Sequence, residues 1–119
     1  MKILVTGIYG FIGSYFAKMA LERGFKVVGI GRDSTQKHKR RIAVNDSNLH
    51  LIHKDLAKDD IGEIMDGCDY VVNFAAKTFV DHSIRDPKPF LDNITITYEL
   101  LELLRKTPSV KKFIQISTD

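Results

Sequence analysis

The sequence predicts an α/β protein built on one parallel sheet of five strands in the order 3-2-1-4-5, with helices on both faces. Two observations carry this prediction. Short apolar runs rich in Val and Ile alternate with helix-like segments along the whole chain. The first run, Ile3–Val5, leads directly into a glycine-rich turn and a helical stretch, as at the start of a βαβ unit. At 119 residues we expect one domain, residues 1–119, that stops after the fifth strand.

Each predicted element has a local signal. Gly24 is a stop for the first helix and Pro108 follows the last one. The last helix carries an apolar stripe of Leu91, Ile94, Leu101 and Leu104. In chain order, the predicted elements are a strand at Ile3–Val5, a helix at Ser14–Arg23, strands at Phe25–Ile30 and Leu49–His53, a helical turn at Ile61–Met65, a strand at Tyr70–Ala76, a helix at Phe90–Arg105 and a strand at Phe113–Ile116.

The glycine-rich turn is the strongest functional signal. Gly7, Gly10 and Gly13 stand between a buried strand and a helix, which is the arrangement of a dinucleotide-binding Rossmann unit. The first glycine allows the tight turn, the second lets the backbone approach a pyrophosphate, and the third lets helix and strand pack closely. The helix N-terminus offers free N–H groups to the phosphates. An ordinary βα turn without a ligand is the weaker alternative.

The end of the second strand bears on the choice of cofactor. An acidic residue there would bind the adenosine ribose of NAD, but Gly31 stands at that position. Arg32 and Ser34 follow, and their guanidinium and hydroxyl groups suit a 2′-phosphate. Asp33 could still reach a ribose if the turn is shifted. We therefore expect NAD(P) with a preference for NADP; a solvated Arg32 is the alternative.

Composition excludes several other classes. The net charge is +3, and no aromatic residues are interleaved with the basic run Lys37–Arg41, so we expect a solvated loop there and no nucleic-acid partner. No apolar run is long enough to span a membrane, and because the first strand starts at residue 2 we expect no leader segment. The single Cys68 has no metal-ligand spacing to His or Cys; we expect a buried thiol, no metal site and a cytoplasmic protein.

The motifs together resemble the nucleotide-sugar epimerase/dehydratase family of extended short-chain dehydrogenases/reductases, in its N-terminal part. The segment Thr6–Gly13 is similar to the pattern TGxxGFIG, and further similarities lie at Asp55-Leu56, Asn73–Ala76, Asp86-Pro87, Asn93–Thr97 and Ile114–Asp119. The resemblance implies that the dinucleotide contacts Gly7, Gly10, Phe11, Ile12, Gly13, Arg32, Asp33, Ser34, Asp55, Leu56, Phe74, Ala75, Ala76, Thr78 and Asn93. In the family the Asp of the Asp55-Leu56 pair binds the adenine amine and the next residue packs on the ring.

Within that family the segment Ala75–Ile84 and the ending Ser117–Asp119 look most similar to dTDP-glucose 4,6-dehydratases. The resemblance implies transient oxidation at sugar carbon 4, loss of water across carbons 5 and 6, and return of the hydride. Thr118 would hydrogen-bond the reacting oxygen, and Asp119 would be the general acid. The sequence departs from that branch at Asn73, Lys77 and Phe79, where members more usually have His, Glu or Gln, and His.

The catalytic Tyr-x-x-x-Lys pair of the family does not occur in this sequence. We therefore expect this chain to be the cofactor-binding portion of a lyase or isomerase and to be inactive by itself. The nucleotide sugar would be a partner of the full-length parent, and exposed helix faces and sheet edges would favour a homodimer or other self-association. A stand-alone dinucleotide-binding sensor is the alternative, and a flavodoxin-like or receiver domain is a weaker one.

Overall fold

A computed structural model describes residues 1–32, 42, 46–75 and 91–117 of the chain. The five strands form one parallel sheet in the order β3-β2-β1-β4-β5, so the predicted fold class is confirmed. The elements are β1 (Lys2–Thr6), α1 (Phe11–Glu22), β2 (Lys26–Gly31), β3 (Leu49–His53), α2 (Gly62–Met65), β4 (Tyr70–Asn73), α3 (Asp92–Arg105) and β5 (Lys112–Gln115).

The central strands are apolar because both of their faces are covered. In β1, Leu4 and Val5 are each 0% exposed and face opposite sides of the sheet. The α1-side core lies on one face; its fully buried members include Val5, Ile8, Ala17 and Val27. The α3-side core lies on the other face; its fully buried members include Leu4, Ile30, Met65, Val71 and Leu100. The sheet therefore separates two cores, and helices cover both faces as predicted.

Helix α1 begins at Phe11, three residues before the predicted start, and ends one residue early at Glu22. Gly10 is its N-cap, so the helix starts directly at the second glycine of the turn. Gly24 has a φ of 87°, which supports its predicted role as the stop. Four of the five buried residues of the helix are small (Gly13, Ser14, Ala17 and Ala20), which lets α1 lie close to the sheet.

Strand β4 ends at Asn73, three residues before the predicted end at Ala76. The side chain of Asn73 explains the early end, because its Oδ1 accepts a hydrogen bond from the backbone N–H of Ala75 at 3.1 Å. A side-chain cap of this kind turns the backbone away from a regular ladder. The other strand boundaries differ from the prediction by one residue or less.

The opposite end of β4 is fastened by Asp69. Its Oδ2 accepts a hydrogen bond from the backbone N–H of Lys2 at 2.9 Å, and its backbone bonds to Lys2 and Lys111. The Lys111 ammonium lies 3.7 Å from Asp69 Oδ1. The backbone hydrogen bond from Lys2 is the main cause of a lowered pKa of the Asp69 carboxyl, and Lys111 lowers that pKa further. Asp69 thus joins the amino ends of β1, β4 and β5.

Helix α3 packs on the sheet through a different face from the predicted stripe. Leu100 is 1% exposed and lies in the α3-side core, whereas Leu91, Ile94 and Leu101 are exposed. Only Leu104 of the predicted stripe packs against the core, together with Ile96 and Leu103. The helix has apolar residues on two faces, and the sheet covers one of them.

Candidate nucleotide-binding site

The glycine-rich turn lies at the carboxyl ends of β1 and β2, and β2 holds it in place. The backbone N–H groups of Gly7 and Ile8 both donate to the carbonyl of Ile30, at 3.0 and 3.2 Å. The N–H of Gly10 donates to the carbonyl of Gly7 at 3.0 Å, which closes the turn. Backbone hydrogen bonds therefore hold the turn to the end of β2.

Two of the glycines are required by close contacts. Gly7 has a φ of 72°, and a Cβ there would lie 2.8 Å from both Ala75 N and Phe74 C, so the turn touches the segment after β4. A Cβ on Gly13 would lie 2.3 Å from the carbonyl oxygen of Gly7. The first turn of α1 thus lies directly against the tight turn, as the glycine spacing predicts.

The N-terminus of α1 presents uncapped backbone N–H groups at the glycine-rich turn. Gly10 provides no side-chain cap, and the first turn of the helix has no acidic residue. Within the described part of the chain, the backbone N–H groups of Phe11, Ile12 and Gly13 have no hydrogen-bond acceptor. The side chains of Phe11 and Ile12 are exposed. These donors, the positive end of the helix dipole and the lack of a Cβ on Gly10 fit a pyrophosphate group.

At the end of β2 the structure reveals a contact that the sequence does not indicate. Tyr9, in the middle of the glycine-rich turn, is 7% exposed and covers Gly31. Its hydroxyl lies 2.7 Å from His53 Nε2, and the two ring centroids are 5.7 Å apart. Arg32 follows Gly31 and is exposed. The sequence signal for this contact is a bulky aromatic residue between two glycines, together with a glycine at the end of β2.

The Asp55-Leu56 pair lies just after β3. Asp55 Oδ1 accepts a hydrogen bond from the N–H of Ala57 at 3.0 Å, and the Asp55 N–H donates to Asp59 Oδ2 at 2.7 Å. The carboxylate is thus partly engaged in its own turn. Leu56 is 8% exposed and belongs to the α3-side core.

Asn73 connects three strands at the carboxyl edge of the sheet. It is 1% exposed, its Oδ1 accepts a hydrogen bond from Thr6 Oγ1, and its Nδ2 donates to Gln115 Oε1 at 2.9 Å. These bonds join β1, β4 and β5 beside the glycine-rich turn. The residues after Asn73 lie against that turn, since a Cβ on Gly7 would meet Phe74 and Ala75. The Phe74 ring also packs at a tilt on Phe16 of α1, with ring centroids 5.4 Å apart. The sequence does not predict these hydrogen bonds of Asn73, because three segments that are far apart in the chain must meet to form them.

Of the remaining predicted site residues, only Asn93 lies within the described part of the chain. Asn93 lies in the first turn of α3 and is half-buried, and its carbonyl accepts a hydrogen bond from Thr97 Oγ1 at 3.0 Å. The structure thus brings together the glycine-rich turn, Phe74 and Ala75, with Arg32 next along the sheet edge. Asp33, Ser34, Ala76, Thr78, Thr118 and Asp119 lie outside the described residues.

Other chemistry has little support in the described residues. They contain no cluster of three or more His, Cys, Asp or Glu side chains able to hold a metal ion. Cys68 is buried, and this burial is the main cause of the raised pKa of its thiol, so the predicted buried thiol is confirmed. Among the described helices, none has the length and apolar character needed to cross a bilayer.

A parallel sheet in this order, with an open helix N-terminus after a glycine-rich turn, defines a Rossmann-type dinucleotide-binding domain. The chain belongs to the NAD dependent epimerase/dehydratase family, whose model matches residues 3–119. It corresponds to the NAD-binding domain of that family, and the match favours this assignment over the stand-alone sensor.

Individual relatives agree with the family. The chain is 34% identical over 110 residues to a dTDP-glucose 4,6-dehydratase of Mycolicibacterium smegmatis, covering 89% of this chain and 33% of that protein. It superimposes with a TM-score of 0.90 on the UDP-glucuronic acid 4-epimerase of Bacillus cereus, solved with UDP-glucuronic acid and NAD, at 34% identity; the match covers 100% of this chain and 40% of the other. A dTDP-glucose 4,6-dehydratase from Streptomyces venezuelae with bound NAD gives a TM-score of 0.86 at 27% identity, covering 99% and 39%. The chain therefore spans about a third to two fifths of the length of these relatives.

Proposed function

We propose that this chain binds NAD(P) as the cofactor-binding part of an enzyme that epimerises or dehydrates a nucleotide sugar. The observation that carries the proposal is the open N-terminus of α1, whose first three N–H groups have no acceptor among the described residues. The cofactor would supply reversible hydride transfer at the sugar. The relatives with bound NAD and nucleotide sugars support this proposal.

The glycine-rich turn would hold the pyrophosphate through backbone N–H groups, with Gly7 and Gly10 giving access and Phe11 to Gly13 donating. Arg32 would face the adenosine ribose, and by family resemblance Asp33 and Ser34 would also contact the cofactor. Asp55 has a second carboxylate oxygen, Oδ2, that accepts no bond within the described residues and could accept one from the adenine amine. Leu56 would contact the adenine only through the small exposed part of its side chain.

The other half of the cofactor would extend along the segment after β4. Phe74 and Ala75 lie against the turn, and Asn93 lies in the first turn of α3. By family resemblance, Ala76, Thr78 and Asn93 would also contact the cofactor. Thr118 would hydrogen-bond the oxygen at sugar carbon 4. Asp119 would donate a proton to the departing hydroxyl in a dehydratase. We assign these roles by family resemblance.

We infer that NADP is preferred over NAD. Gly31 provides no carboxylate for a ribose 2′-hydroxyl, and the exposed guanidinium of Arg32 provides a positive charge for a 2′-phosphate. The two solved structures described above contain NAD, so a preference for NADP would distinguish this chain from them.

We also infer a cytoplasmic homodimer. The exposed face of α3 carries Leu91, Ile94, Tyr98 and Leu101, which are 58%, 69%, 59% and 47% exposed. Four large apolar side chains on one face of a helix favour association with another apolar surface.

Parallel calorimetric titrations with NAD, NADP and FMN test the cofactor assignment. We expect both pyridine dinucleotides to bind, NADP more tightly, and FMN not to bind. At a ligand concentration of 100 times Kd, binding should stabilise the fold by about 2.7 kcal/mol, which a thermal shift would detect. Binding of neither dinucleotide would contradict the proposed function, and equal or tighter binding of NAD would contradict only the role given to Arg32.

A further inference from the structure

Tyr9 is a residue of the glycine-rich turn whose side chain lies beside the end of β2. A glycine-rich turn needs small residues only where the backbone bends sharply or approaches a partner closely. Position 9 is not one of these places, so it can hold a large side chain. Tyr9 nevertheless does not extend into solvent, since it is 7% exposed and belongs to the α1-side core.

The ring of Tyr9 occupies the space that a side chain at position 31 would need. A Cβ on Gly31 would lie 2.3 Å from Tyr9 Cδ2 and 2.6 Å from Cε2, and 3.3 Å from Ile8 Cγ2. Contacts under 3.0 Å to the body of a buried ring cannot be relieved by rotating a flexible chain end. Glycine at position 31 is therefore a requirement of Tyr9.

The ring is also held from its far end. The Tyr9 hydroxyl and His53 Nε2 are 2.7 Å apart, and His53 lies on β3 in register with Gly31. The N–H of Lys54 donates to the carbonyl of Gly31 at 3.0 Å, which keeps the end of β3 beside this site. Moving the ring away from Gly31 would break this partly buried hydrogen bond and expose the ring, so the ring is anchored over the glycine.

We propose that Tyr9 is a specificity-determining residue of the cofactor site: by covering Gly31 and anchoring to His53, it excludes a carboxylate from the end of β2. That carboxylate is the group that binds the ribose 2′-hydroxyl of NAD and repels a 2′-phosphate. With the carboxylate excluded, the exposed Arg32, which directly follows Gly31, provides a positive charge that favours the 2′-phosphate of NADP. This proposal rests on the proposed cofactor function.

A double-mutant cycle on the 119-residue chain tests the proposal, with the variants Tyr9→Ala, Gly31→Asp and Tyr9→Ala/Gly31→Asp. Thermal unfolding gives the stability of each, and calorimetry gives the Kd for NAD and NADP. We expect Gly31→Asp to lower Tm strongly in the presence of Tyr9 and much less in the Tyr9→Ala background. In the double variant the ratio of NAD to NADP affinity should rise by about tenfold or more over the unsubstituted chain.

Tyr9→Phe is the matched control, because it keeps the ring and removes only the hydrogen bond to His53. It should lower stability slightly and leave the ratio of the two affinities unchanged. Gly31→Ala in both backgrounds repeats the stability test without a charge if the Asp variant does not fold.

Equal destabilisation by Gly31 substitutions in both backgrounds would overturn the proposal, as would an unchanged affinity ratio in a folded double variant. In either case binding of dinucleotide by the unsubstituted chain would leave the proposed function intact. If neither the unsubstituted chain nor any variant binds either dinucleotide, the proposed function fails and the specificity proposal fails with it.

Discussion

Single methyl groups on the glycines of the turn would meet very different surroundings. A Cβ on Gly13 would overlap the carbonyl oxygen of Gly7 at 2.3 Å, whereas a Cβ on Gly10 would lie 3.2 Å from that oxygen. Gly10 also has a φ of −70°, which any residue adopts. Substitutions at the two positions therefore test stability and ligand binding separately: Gly13 reports on the fold and Gly10 on the ligand.

Gly10→Ala should leave the fold almost unchanged and weaken dinucleotide binding by about tenfold, since the methyl group lies where the backbone approaches the pyrophosphate. Gly13→Ala should cost about 1–3 kcal/mol of unfolding free energy, because backbone must shift. Urea denaturation and calorimetry measure the two effects. A large loss of stability in Gly10→Ala, or none in Gly13→Ala, would contradict the geometry.

At this scale the sequence predicts residues whose role depends on the backbone and misses those that depend on distant partners. The tight turn at Gly7 and the close helix packing at Gly13 agree with the prediction because a fixed spacing in the chain sets these contacts. The hydrogen bonds of Tyr9 to His53 and of Asn73 to Thr6 and Gln115 join segments that are far apart in the chain. Their partners follow only from the strand register, which spacing along the chain does not contain.

Among the elements, α3 shows most clearly how packing decides between two apolar faces. Leu100 and Leu101 are adjacent in sequence, but Leu100 is 1% exposed and Leu101 is 47% exposed. Periodicity predicted the extent of the helix and selected the wrong stripe, because either apolar face satisfies a helical period. The position of the helix over the α3-side core selects the face that includes Leu100.

The pair Leu100→Ala and Leu101→Ala tests this assignment with identical chemistry. We expect Leu100→Ala to lower the free energy of unfolding by about 2–5 kcal/mol, since it leaves a cavity in a packed core. Leu101→Ala should change it by about 0.5 kcal/mol or less. Urea denaturation at neutral pH measures both. Similar costs for the two variants would mean that α3 is rotated relative to the orientation described.

For the molecule as a whole, the sheet order follows from the sequence because each crossover in a parallel sheet is constrained in hand and length. The exposed face of α3 is an apolar surface that the fold does not cover; it consists of Leu91, Ile94, Tyr98 and Leu101. A second exposed feature is the edge strand β3, where Leu51 is 38% exposed. Association could use either surface, and the two respond to different substitutions.

Sedimentation equilibrium should show a dimer that the double variant Ile94→Lys/Leu101→Lys converts to a monomer, because two charges would be buried in the interface. The monomeric variant should keep its unfolding midpoint at low protein concentration, since both side chains are exposed. Leu51→Lys is the control on the sheet edge and should leave the dimer intact. A monomer at high concentration before any substitution would contradict the dimer.

Strand β4 is fastened at both ends, but by groups that respond differently to acid. Asp69 at the amino end is an ionised carboxylate with a lowered pKa, so its contribution to stability is present above the unfolded pKa near 3.8 and is lost as the pH falls through the lower folded value. Asn73 at the carboxyl end has no proton to gain in this range. Acid should therefore loosen the edge of the sheet that is remote from the glycine-rich turn first, while the strand ends that carry the turn stay joined.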